Sequence, residues 1–483
     1  MIFFEKFLKP VLQRPFLSLR LITEGRNHKG LVPSYSNRYK RFVYMKKAIA
    51  TLLSCCTVLS FLAGCSKKEE KNNTKPSQGQ TTVSTDIGSP VIDSARPEGQ
   101  TAIFQLSASS DQSVDDKTLY KNYSKFVFEL LHRCAKDSDG NIMLSPDSIM
   151  FALELLAGGA NGETLDQILH TLIPDVDNAA AFQFAVDRMD RLSGNALNIS
   201  NSAWTNSGSG ASFYQDYYDF VSKNFDAELR SLDFASPDAV PSINNWVKEK
   251  TKGRITKILD SLSDESILVL INAIVFDGKW ETDFDDDHVY SGTFHAQGGK
   301  DQNVTFLNSK EERYIKNDKA QGFIKPYDDG QYAFMVILPD DESQSIQDFL
   351  SEMTPEDYWT MIDNYTYETT ISVFPEFTTE YETHLVSTLK DMGMTLPFEN
   401  GDFSNMCNVP VSVTDVIHKT YIKVDRHGTE AAAVTAIVAE GSAAPDDHQN
   451  VVKCDRPFAY AVIDLESGLP VFIGSVSEVN SPS

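Results

Sequence analysis

Residues 267–276 read Ile-Leu-Val-Leu-Ile-Asn-Ala-Ile-Val-Phe, an almost unbroken β-rich apolar run with one polar residue, Asn272. A half-exposed strand alternates apolar and polar side chains, so a run without alternation belongs to a strand buried on both faces. Residues 120–131 instead carry Phe126, Phe128, Leu130 and Leu131 at helical spacing, and residues 149–156 continue a second helix after Ser145-Pro146. Further strands are expected at 332–338, 371–374, 411–424 and 460–476, the last interrupted at Ser467-Gly468. Helices come first, strands dominate later and no regular βα alternation appears, which argues for an α+β fold rather than a doubly wound one. With 483 residues, 41% of them hydrophobic, the chain suits a single large mixed domain behind a leader and a linker.

The leader is legible from residue 45. Met45-Lys46-Lys47 is a short basic n-region, residues 48–61 form an apolar stretch, and Leu62-Ala63-Gly64-Cys65 is a small-residue cleavage site. This ending looks like a bacterial lipobox, in which the sulfur of Cys65 is acylated and the cysteine becomes the new N-terminus. Residues 1–44 precede a complete signal and read as a dispensable upstream extension, with Met45 as the start. Residues 66–113, rich in Ser, Thr, Gln and Lys, read as a flexible tether, leaving a folded domain over 114–480. The expected destination is that of an exported, membrane-anchored lipoprotein on a periplasmic or cell-surface face. The chain carries a net charge of −25 and its leader is basic, so the mature body is more acidic still. No dense basic patch offers a site for nucleic acid. Cys134, Cys407 and Cys454 remain after the leader, an odd trio without metal-ligand spacing that reads as buried apolar thiols.

The long stretch 425–457 between two strand regions is small, polar and acidic. A loop of that length inside a compact domain is functional or disordered. Within it, Thr429-Glu430-Ala431-Ala432-Ala433-Val434-Thr435 has two readings. By propensity it is a turn or two of helix. As a strand it places Thr429, Ala431, Ala433 and Thr435 on one face, all small enough to slide between two existing strands.

Motifs in order along the chain carry a resemblance to a known family. Asn141-Ile-Met-Leu-Ser-Pro-Asp-Ser-Ile149 is followed by Gly158-Gly-Ala-Asn-Gly-Glu-Thr164, Ile243-Asn-Asn-Trp-Val247, Thr251-Lys-Gly-Arg-Ile255, Leu270-Ile-Asn-Ala-Ile274 and Gly278-Lys-Trp280. Val336-Ile-Leu-Pro-Asp340, Asp402-Phe-Ser404, Gly428-Thr-Glu-Ala-Ala432, Asp455-Arg-Pro-Phe458 and Phe472-Ile-Gly474 complete the set. The sequence resembles the serpins, inhibitors of serine proteases, from about Leu119 to Val476. The resemblance implies three β-sheets, about nine helices and an exposed reactive-centre loop, here residues 425–453, in a kinetically trapped native state. A protease cuts the loop and is held as an acyl-enzyme while the freed loop inserts into the main sheet. The inhibitor supplies no catalytic group and needs no cofactor or metal.

Family roles carry over residue by residue. Gly428 and the segment Thr429, Glu430, Ala431, Ala432, Ala433, Val434 and Thr435 resemble the hinge, of which Thr429 would be the first to enter the sheet interior. Ser145, Ser148, Asn272 and His418 correspond to the shutter, a polar group beneath the strands that must part. Trp280 corresponds to the breach, where insertion starts. Arg426 departs from the family's usual acidic residue, a swapped charge that bears on how tightly the hinge is held at rest. Roughly thirteen residues on from Thr429, the family's offset places the scissile bond between Ser442 and Ala443. The flanking Val438, Ala439, Glu440, Gly441 and Ala444 offer nothing to an acidic trypsin-like pocket and suit a small elastase-like one. The expected partner is therefore an elastase-like serine protease, a cysteine protease being a second class of target, and the resting protein is a monomer. The alternative function is that of a non-inhibitory serpin acting as a binding protein.

Overall fold

The computed structural model describes residues 114–480 apart from 195, 412 and 430–448, together with residues 89 and 92–93. Among these residues lie nine α-helices: α1 (Asp116–Lys136), α2 (Pro146–Gly159), α3 (Gly162–Leu172), α4 (Asn178–Leu192), α5 (Gln215–Phe225), α6 (Ala239–Lys250), α7 (Ile346–Glu352), α8 (Pro355–Asp363) and α9 (Val386–Asp391). The described strands form three sheets. The main sheet has seven strands in the order β5 (Ala227–Leu232), β3 (Leu197–Asn206), β6 (Leu268–Phe276), β14 (Val413–Asp425), β15 (Gly428–Thr429) and β7 (Gly278–Lys279), with β13 (Phe377–His384) on the other edge of β14. A nine-stranded sheet runs β16 (Asn450–Lys453), β12 (Thr366–Pro375), β9 (Lys300–Lys316), β10 (Ala320–Pro326), β11 (Tyr332–Pro339), β17 (Phe458–Asp464), β18 (Pro470–Val476) and β2 (Ile142–Leu144), with β8 (Val289–Ala296) against β9. The third pairs β1 (Ile92–Asp93) with β4 (Phe213–Tyr214), so one short piece of the segment read as a tether is a strand on the domain. This α+β architecture is the one expected.

The apolar run behaves as its pattern requires. Every residue of β6 is buried, and its neighbours in sequence feed two separate cores. Leu268, Leu270, Ile274 and Phe276 join the large core shared with α2, whereas Val269, Ile271 and Ala273 join a smaller one with Trp204, Ile243 and Trp246. Side chains of a strand alternate between faces, so two covered faces demand apolar residues at both parities. Asn272 has the parity of the large core and points its amide beneath the sheet, toward α2.

On the large-core side, α2 begins at Pro146, whose missing N–H is no loss in the first turn. The helix is buried along its whole length. Asp147 in its first turn meets Arg188 of α4 at 2.8 Å, and Arg188 also reaches Asp464 at 2.9 Å, all three nearly solvent-free. Such a cluster is tolerated because each charge has a partner, and removing one would strand the others. It pins α2, α4 and the end of β17 together and fixes the floor against which the main sheet moves. Cys134, Cys407 and Cys454 are free and buried, as their spacing implied.

Candidate functional site

The seam that an inserting strand would have to open lies between β6 and β14. These two strands pair directly in parallel, Ile417 opposite Ile271, His418 opposite Asn272 and Tyr421 opposite Val275. Beyond Val275 the seam is occupied. The chain turns at Arg426-His427, and Gly428–Thr429 pairs on one side with Val424 and Asp425 and on the other with Gly278 and Lys279. The hinge is therefore already two residues into the sheet at rest, which the sequence did not lead us to expect. Gly428 sits at φ +151°, and a Cβ there would lie 2.1 Å from the Gly278 carbonyl oxygen. Only glycine fits that approach. Thr429 is fully buried, with its hydroxyl 2.6 Å from that of Tyr327. Burial pushes the Tyr327 phenol far above its usual range, so it stays protonated.

Around the seated hinge stands an aromatic box. Trp280 is 2% exposed, and its ring stacks on Tyr327 with centroids 4.8 Å apart and planes within 9°. Phe284, Phe334 and Phe374 meet it edge-on at 5.8–6.3 Å. The indole N–H donates to the Asp425 carbonyl at 2.8 Å, and the Trp280 amide donates to the His427 carbonyl at 3.2 Å. Trp280 thus holds the turn that leads into the hinge by both its side chain and its backbone. Beneath it, Lys325 lies 5.5 Å from the indole and 4.6 Å from the Phe284 ring and pairs with the buried Glu311 at 3.1 Å. Arg426 is not an orphan of the charge swap. Its guanidinium meets Asp286 at 3.1 Å and Glu376 at 3.6 Å, and its amide donates to Glu376 at 3.2 Å.

Lower in the seam the four shutter residues meet as two pairs. The Ser145 amide donates to His418 Nε2 at 3.1 Å, while the Ser145 hydroxyl has no hydrogen-bond partner among the described residues. An accepting Nε2 places the ring proton on Nδ1. Burial holds the imidazole neutral, its pKa lowered to about 3. Ser148 donates to the Asn272 carbonyl oxygen, and the Asn272 amide passes the chain on to Asn201 of β3. Asn201 in turn donates to the Phe225 carbonyl at 2.8 Å. The motif-based assignment missed Asn201, Tyr327 and Lys325. Asn201 lies in the polar-rich Leu197–Asn206 strand, which gives no periodic apolar signal, and nothing local marks Tyr327 as the hydroxyl beneath Thr429.

The rest of the hinge, Glu430, Ala431, Ala432, Ala433, Val434 and Thr435, lies outside the described residues, as do Val438, Ala439, Glu440, Gly441, the Ser442-Ala443 bond and Ala444. Cys65, the upstream extension and the signal segment also lie outside them. The chain re-enters at Asn450, where β16 pairs in parallel with β12.

The comparisons agree with this geometry. The family profile "Serpin (serine protease inhibitor)" matches residues 121–479. A serpin-like protein of Thermococcus kodakarensis is 30% identical over 369 residues, covering 74% of this chain and 85% of the relative. The leukocyte elastase inhibitor of Xenopus laevis is 29% identical, covering 73% of this chain and 97% of that protein. Among solved structures, the thermophilic serpin tengpin in the native state superposes with a TM-score of 0.70 at 34% identity, covering 77% of this chain and 96% of tengpin. Together with the two-sided seat for the hinge, the aromatic box and the shutter pairs, these matches place the chain in the serpin family.

Proposed function

We propose that the chain is a suicide-substrate inhibitor of elastase-like serine proteases. The observation that carries this reading is the seating of Gly428–Thr429 in the main sheet at the head of a segment without bulky side chains. A strand that has begun to pair can continue pairing once its far end is freed. The protease serine attacks the Ser442 carbonyl, the Ala443 amine leaves with the new N-terminus, and the protease remains esterified to Ser442. Water would complete hydrolysis, but residues from 430 onward enter the β6–β14 seam and carry the protease away first. The driving force is strand pairing and burial withheld from the resting sheet.

Incubation with an elastase should give a covalent complex that survives denaturant, together with a small C-terminal peptide beginning at Ala443. Clipped protein without complex would favour the binding-protein reading and sink the inhibitory one. We place the protein on a membrane through a lipid on Cys65, with 45–65 as its signal and 66–113 as its tether. Mass spectrometry of the mature N-terminus tests this, and a mature chain beginning elsewhere than at an acylated Cys65 refutes it.

A further inference from the structure

Large apolar side chains left in solvent are rare in this molecule. Among the described residues they are Tyr290, Tyr365, Tyr367 and Val451, and all four lie on or beside the adjacent strands β8, β12 and β16 of the nine-stranded sheet. Two of them form a unit. Tyr367 is 72% exposed and Tyr365 is 37% exposed, their rings meet edge-on at 5.3 Å, and their hydroxyls are 3.1 Å apart. Arg313, opposite Tyr367 in the ladder, lies 5.8 Å from the Tyr365 ring. Scattered exposed tyrosines need no explanation. A propped pair beside an arginine has the composition of an interface hot spot, since rigid aromatic rings give contact area at little entropic cost.

The pair also stands where the bait loop rejoins the fold. Asn450 pairs with Thr370, three positions along β12 from Tyr367, and donates from its side chain to Glu368 at 2.7 Å. The strand end that bears Tyr367 is thereby fastened to the root of the loop. The proposed scissile bond lies eight residues before Asn450, a span of at most about 28 Å fully extended. A protease seated on that bond covers about 800 Å² of its partner, a disc of roughly 16 Å radius, which takes in the loop's root. Glu368 and the sequence Asp446-Asp447 make this side acidic.

We propose that Tyr365 and Tyr367, braced by Arg313, form a second docking surface for the target protease, outside its active-site cleft. This rests on the inhibitory reading above. The partner it fits carries arginine or lysine on the rim beside its primed-side subsites. Such groups lie over tyrosine faces and meet the acidic residues of the loop root. The surface raises the rate of encounter and leaves the fate of the acyl-enzyme unchanged.

The test compares the full chain with the Tyr365→Ser/Tyr367→Ser double variant against a strongly basic leukocyte elastase. The second-order rate of covalent-complex formation should fall at least fivefold at low salt, with the stoichiometry of inhibition and the thermal midpoint unchanged. A near-neutral elastase should lose less. Equal rates for wild type and variant against the basic enzyme would overturn the proposal while leaving the inhibitory mechanism standing. If the wild type forms no covalent complex, the inhibitory reading fails by itself. Equilibrium binding of an elastase lacking its active-site serine then decides the surface, and an unchanged Kd in the double variant overturns it.

Discussion

The two ends of the β6–β14 seam are closed by different chemistry. At the upper end a piece of the loop itself fills the gap, held by backbone pairing on both sides of Gly428–Thr429 and by a hydroxyl pair with Tyr327. At the lower end the strands pair with each other, and polar side chains tie them to α2 through Ser145–His418 and Ser148–Asn272. The upper closure depends on shape and keeps its protons across the physiological range. The lower closure is conditional, because His418 must stay uncharged. Mutation is therefore the lever at one end and pH the lever at the other.

The largest effect should come from Thr429→Arg. The buried threonine would be replaced by a guanidinium without a partner, costing about 3 kcal/mol or more if it stays in place. The hinge should leave its seat, and covalent-complex formation with elastase should fall to a trace on gels. Because Thr429 is buried at rest, the uncut protein should also melt earlier, so a variant with wild-type melting and wild-type complex yield would refute the seated hinge.

Acid should act on the other end. His418 has a folded pKa of about 3 against about 6.5 unfolded, so its contribution is complete above pH 6.5 and is lost as pH falls toward 3. Between pH 6.5 and 5 the loss amounts to about 2 kcal/mol. Denaturant midpoints at the two pH values should show it, and His418→Gln should flatten that part of the profile. An identical slope in the variant would remove His418 from the closure.

Beneath the same end, Glu154 of α2 is fully buried with neither carboxyl oxygen hydrogen-bonded among the described residues. Desolvation pushes its pKa well above the usual carboxylate range. Its sign is opposite to that of His418. The raised folded pKa favours the native state only in acid, and stability is lost as pH rises from about 4.5 through the folded value. Glu154→Leu should raise stability at pH 7 by about 2 kcal/mol in denaturant titration, and an unchanged midpoint would mean that the carboxyl costs nothing there. The smallest effect should be that of Arg426→Ala. Its ion pairs are partly in water, and the loss should be under about 1 kcal/mol, detectable as a faster onset of loop insertion on mild heating.

The sequence was most readable where one residue type is forced by its surroundings. The run of β6 announced two covered faces, and Gly428 announced a close backbone approach. Ser145, Ser148, Asn272 and His418 are scattered over the chain, and only the resemblance brought them together. The pre-seated hinge was not legible, because Ala-rich propensity favours helix and nothing in Gly428–Thr429 tells a waiting segment from one already paired. The deciding partner, Tyr327, lies 102 residues away. The 17-residue β9 escaped notice for a different reason. Its charged and amide residues follow no single alternation, since it first pairs with β8 and then with β10.

The place of Thr429 changes what limits the trap. Forming the first turn or pair of an ordered element is the costly part of ordering a chain, and each later addition is cheaper. Here the nucleus exists before any protease arrives, so closing the seam is a zipper with its slider already engaged. The race against hydrolysis of the ester then turns on propagation, one residue after another past His418. Changes at Ala431, Ala433 and Thr435 should shift the outcome in proportion to their bulk, with no lag phase while the hinge finds the sheet.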